Sequence, residues 1–153
     1  MALVHNFYLV KELVDLRATV FQMPEEAIID RVTIHDDIIL YIMDSLNWVR
    51  AENPMKREEG PQQYGINYCG ITLFHRSEAK LLHRIFSAWR ELFTHAPSEF
   101  KLTGNYVEDE HDNTGYYEKI KVEKAALIDQ LTKMLAILVQ LEAGTGYLYH
   151  YGI

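Results

Sequence analysis

The sequence contains a single cysteine, Cys69. That excludes an intramolecular disulfide and any multi-cysteine zinc site. Cys69 sits in an apolar strand pattern, so a buried, inert thiol is expected; a nucleophile needs an electropositive, partly open setting. No apolar run approaches the roughly 20 residues that a membrane-spanning helix requires. Basic residues are in deficit: 15 Lys and Arg stand against 22 Asp and Glu, a net charge of -7. Binding to nucleic acid or to an anionic membrane surface is carried by Lys and Arg, so neither partner is expected. The start of the chain shows no basic segment followed by an apolar run and a small-residue cleavage site. With one cysteine and no such leader, a reducing, cytoplasmic setting is the expectation. Nucleophile elbows, phosphate-binding glycine loops, HExxH and dinucleotide fingerprints are also missing. No cofactor, metal or catalytic set is therefore expected.

What is present begins with Tyr64–Phe93, which reads as a strand running into an amphipathic helix. Ile66, Tyr68, Ile71, Leu73 and Phe74 suit a packed, pleated surface. Ser77 is a natural N-cap. Leu81, Leu82, Ile85, Phe86, Trp89, Leu92 and Phe93 recur at three- and four-residue steps, one stripe of a helix. Ala96-Pro97 stops it. Upstream, residues 5–21 carry apolar residues mostly at helical spacing and are read as a helix. Pro24-Glu25-Glu26 opens a second, running to about Arg50, or two joined near Thr33. Residues 52–63 are polar, with Pro54, Gly60 and Pro61, and read as a surface loop. Downstream, Phe100–Val107 and Tyr116–Val122 form a hairpin around a polar loop. A helix from about Glu123 to Glu142 ends at Gly144, a left-handed C-cap. Gly146–Tyr151 is a last short strand.

The chain is long enough for one domain, 1–153, and buries roughly 70% of its unfolded surface. Its parts are a helical 1–52, a loop 53–63 and a βαββαβ segment 64–153. The fold class expected is α+β: a four-stranded antiparallel sheet of ferredoxin-like order from residue 64, with the two N-terminal helices packed on it. Those helices are expected to cover a tyrosine-rich second face, with a homodimer interface as the rival cover. The same order resembles RNA-recognition domains, whose first and third strands display stacking aromatics. Tyr68 and Tyr116-Tyr117 occupy those strands. The third strand, Thr114–Ile120, lacks the family's opening basic residue, and the net charge opposes RNA.

Two functional readings follow. The first is a non-catalytic protein-binding module, an acidic inhibitor or immunity-type protein that neutralises a basic partner. Its contact loop is Glu108, Asp109, Glu110, His111 and Asp112; without the alternating acids and distal Glu of a calcium loop, it is not read as a metal site. The alternative is a small-molecule binder or minor enzyme. Its cleft lies between the N-terminal helices and the sheet, lined by His35, Tyr147, Tyr149 and His150. His35, Asp36 and Asp37, read as successive helix positions, point apart and cannot converge on one ion.

Overall fold

A computed structural model describes residues 3–56, 62–108, 111, 114–144 and 146–153. The fold is α+β, with a four-stranded antiparallel sheet and three helices. The strands of that sheet are β1 (Val4–Val10), β2 (Ile28–His35), β5 (Ile71–Phe74) and β8 (Tyr147–Tyr151). Their order is β2-β1-β8-β5. The helices are α1 (Asp36–Leu46), α2 (Ala79–Thr94) and α3 (Lys124–Glu142). Two further pairs stand outside the sheet: β3 (Arg50–Ala51) with β4 (Gln63–Tyr64), and the long hairpin β6 (Glu99–Glu108) with β7 (Gly115–Glu123).

This order overturns the ferredoxin-like expectation. The 100–107 and 116–122 segments do pair with each other, but with no other strand among the described residues. The sheet is completed instead by β1 and β2 from the N-terminal part, with β8 lying between β1 and β5. The N-terminal helices are corrected too. Residues 5–21 are β1 and then an irregular segment, and residues 25–50 are one 3-10 turn, β2 and α1. Phe7, Tyr8, Leu9 and Val10 are apolar on both strand faces, which erases the two-residue alternation. Leu13, Val14 and Leu16 then continue a helical spacing by coincidence, although they lie beyond the strand. In the 64–74 stretch only Ile71–Phe74 is a regular strand of the main sheet; Gly65 takes a φ of 80° and residues 67–70 form a turn.

One face of the sheet carries Phe7, Leu9, Val32, Ile34, Phe74 and Leu148, buried beneath the helices. α3 crosses β1 and β2, α2 packs beside α3, and α1 beside α2. Leu131, Met134, Leu138 and Leu141 of α3 and Leu82 and Phe86 of α2 fill that layer. Burial of each such side chain removes apolar area worth about 1.5–3 kcal/mol from water. The opposite face carries Tyr8, Val10, Leu73, Tyr147, Tyr149 and Tyr151. The expected cover of N-terminal helices is absent, and Leu16, Val14, Met23 and Met55 from non-helical segments pack there instead. The Val14 N–H donates to the Tyr149 hydroxyl at 3.2 Å. No helix among the described residues is long and apolar enough to cross a membrane.

Candidate functional site

Side chains alternate across a strand, and opposite residues of an antiparallel pair share a face. Phe7 lies opposite His150, and His150 opposite Thr72, so all three point toward the helices. His5 is two residues from Phe7 and shares that face. At the end of β2, His35 caps α1, accepting from the Asp37 N–H at 3.2 Å. Asp36 follows as the first helical residue, where the positive end of the helix dipole favours a carboxylate. It is buried against the sheet, and its N–H donates to the Leu3 carbonyl.

These elements bring five polar side chains into one line. The Tyr68 hydroxyl lies 2.5 Å from Asp36 Oδ1. Asp36 Oδ1 lies 2.9 Å from His5 Nε2, and His5 Nδ1 lies 2.8 Å from His150 Nε2. His150 Nδ1 is 3.4 Å from Thr72 Oγ1, which accepts from the Asn67 N–H at 2.7 Å. The two imidazoles are nearly coplanar, 15° apart. With both rings neutral and Asp36 ionised, one set of protons satisfies every contact. Thr72 donates to His150 Nδ1; His150 carries its proton on Nε2 and donates to His5; His5 does the same and donates to Asp36. Tyr68 donates to the same carboxylate.

Burial sets the electrostatics. Desolvation, with a smaller contribution from His5, pushes the His150 imidazole down to about 3. Desolvation and the bond to Asp36 push the Tyr68 phenol well above its ordinary range. His5, His150 and Thr72 are fully buried and Asp36 nearly so. An Asp–His pair resembles a general base and its orienting carboxylate. Here, however, the far ring nitrogen is held by a second histidine, and both rings are fully buried. The line therefore joins elements: β1, β5, β8, the start of α1 and the 67–70 turn. Gly152 completes the clamp, since its N–H donates to the Gly70 carbonyl at 2.8 Å. A Cβ on Gly152 would come within 1.9 Å of the Tyr68 carbonyl oxygen.

The open surfaces lie elsewhere. The base of the β6–β7 hairpin packs Phe100, Leu102, Ile120 and Val122 on the core. Its outer half projects. Tyr106, Tyr116 and Tyr117 there are 52%, 60% and 58% exposed, and Tyr106 packs its ring edge-on to Tyr117. A second open surface runs along α2, where Trp48, Leu81, Ile85, Trp89 and Leu92 line a groove of about 430 Å³.

The residues expected from sequence are distributed as follows. Glu108 and His111 are exposed near the hairpin tip; Asp109, Glu110 and Asp112 lie outside the described residues. His35, Tyr147, Tyr149 and His150 are not brought together: His150 faces the helices, Tyr147 and Tyr149 face the other way, and His35 caps α1. Cys69 is exposed, contrary to expectation, because it sits in the turn before β5 and not within the strand. His5, Asp36, Tyr68 and Thr72 were not expected to act together. The available signal was phase: His5 alternates with Phe7 and Leu9, and His150 with Leu148. No three or more His, Cys, Asp or Glu among the described residues are placed to hold a metal.

No family model matches the chain. Comparisons with curated proteins and with solved structures also found no match. Function must therefore be argued from the site alone.

Proposed function

We propose that the chain is a non-catalytic protein-binding module, an acidic inhibitor-type protein that engages a basic partner. The observation that carries this reading is the outer half of the β6–β7 hairpin. Three tyrosines stand there more than half exposed, on strands that no other strand among the described residues pairs with. Tyrosine supplies large, rigid contact area at low entropic cost, and it is enriched at interface hot spots. Glu108 ends β6 one residue pair beyond Tyr116, and the sequence that follows it is acidic. The net charge of -7 would speed encounter with a basic partner.

A small-molecule cleft lined by His35, Tyr147, Tyr149 and His150 has less support, because those side chains fall on three different surfaces. The buried histidine line also lacks access for a substrate.

The test is affinity capture from the source cell lysate with wild type and with a Tyr106→Ser/Tyr117→Ser variant. A stoichiometric basic protein retained by wild type and lost, by about tenfold or more in affinity, from the variant is the expected result. Equal capture by both proteins, or none by either, would count against the hairpin as the contact surface. Circular dichroism of the variant checks that its fold is intact.

A further inference from the structure

We propose that α2 pairs antiparallel with α2 of a second copy of this chain, forming a weak two-fold dimer. The outer stripe of α2 stands open to solvent. Leu81, Arg84, Ala88, Glu91 and Leu92 are all exposed there. Leu81, Arg84, Ala88 and Glu91 recur at three- and four-residue steps and Leu92 lies four beyond Ala88, so they share one face. Arg84 and Glu91 are seven residues apart, two turns or about 10.5 Å along the axis.

That stripe is complementary to itself when reversed. The midpoint between Arg84 and Glu91 falls beside Ala88. A two-fold axis at that point sets each Arg84 against the partner's Glu91, twice over, as an isologous contact requires. The same axis brings each Leu92 within about 3 Å of level with the partner's Leu81. Ala88 at the crossing lets the helices approach to about 8 Å. The Arg84 guanidinium has no ion-pair partner among the described residues, and Glu91 has only His95, itself exposed, at 3.5 Å. Trp48, 67% exposed, stands at the margin of the groove and would be covered by the second copy.

A basic partner of the kind expected at the hairpin fits this stripe poorly, since Lys80, Arg84 and Arg90 already make α2 locally basic. A second copy supplies the Glu91 that Arg84 lacks. One helix face is small beside the ~800 Å² per partner of a stable complex, so association in the micromolar range is expected. This inference does not depend on the function proposed for the hairpin.

Sedimentation velocity of the whole chain between about 5 and about 500 μM tests it. Wild type should shift from monomer to dimer across that range. Leu92→Glu should abolish the shift. Arg84→Glu and Glu91→Arg should each weaken association about tenfold or more, because each places like charges together twice. The double variant Arg84→Glu/Glu91→Arg should return to within about threefold of wild type, a recovery that only the crossed pairing gives. A monomer at every concentration overturns the proposal. So does a dimer indifferent to Leu92→Glu, or one that the double swap fails to restore. These positions are exposed, so the variants should remain folded, which a thermal melt checks.

Discussion

At the scale of single residues, the core separates polar groups that are satisfied from one that is not. Asp36 accepts from both His5 and Tyr68, while the Tyr151 hydroxyl is buried with no hydrogen-bond partner among the described residues. Burial also pushes the Tyr151 phenol up to about 12. Leaving a buried donor unpaired costs about 1–3 kcal/mol, whereas removing a group that was never paired costs little. Asp36→Ala orphans the His5 Nε2–H and the Tyr68 hydroxyl together. It should lower stability by about 2–4 kcal/mol. Tyr151→Phe keeps the ring and loses only the idle hydroxyl. It should leave stability unchanged or raise it by up to about 1 kcal/mol. Urea denaturation midpoints of the two variants should thus move in opposite directions or leave Tyr151→Phe unmoved. A larger loss for Tyr151→Phe would mean that its hydroxyl has a partner.

At the scale of elements, the sequence spoke clearly wherever periodicity was local. α2 and α3 carry long apolar stripes and lie within two residues of where spacing puts them. The hairpin and the last strand were also legible, from alternation and turn residues. β1 and β2 were not, because Phe7–Val10 is apolar on both faces and Ile28, Val32 and His35 fall at a helical step. Pro24-Glu25-Glu26 reads as the opening of a long helix, but only a three-residue 3-10 turn forms, and it runs into β2. The two histidines follow from the same loss. Once β1 is read as a helix, the alternation that places His5 with Phe7 disappears, and His150 has no visible partner 145 residues away. Close backbone approach is likewise invisible in composition. Gly152 is the clearest instance: any side chain there meets the Tyr68 carbonyl. Gly152→Ala should push the 67–70 turn off Asp36 and cost about 1–3 kcal/mol. Hydrogen exchange should show it as a local loss of protection at Gly152 and Ile153. Unchanged protection at those amides would contradict the clamp.

At the scale of the molecule, strand order was the feature least available from sequence. Which strands flank β8 depends on pairing between chain ends and middle, and no local pattern encodes it. The consequence for function is large. Pairing β1 with β8 draws the His5–His150–Asp36 line into the core, and leaves the outer hairpin and the outer stripe of α2 open. The same burial links stability to pH. His150 holds its proton less tightly folded than unfolded, about 3 against the ordinary 6.5. Protons therefore favour the unfolded chain between those values. Stability is fully present above about pH 6.5 and falls by up to about 1.4 kcal/mol per pH unit as pH drops toward 3.

The most direct measurement is the titration of His150 in the folded protein, followed by ring-nitrogen NMR from pH 8 to pH 5. A sealed line requires a neutral ring, protonated on Nε2, that does not titrate over this range. A His150 that protonates near pH 6.5 while the protein stays folded would contradict it, and would reopen the site to solvent and to chemistry.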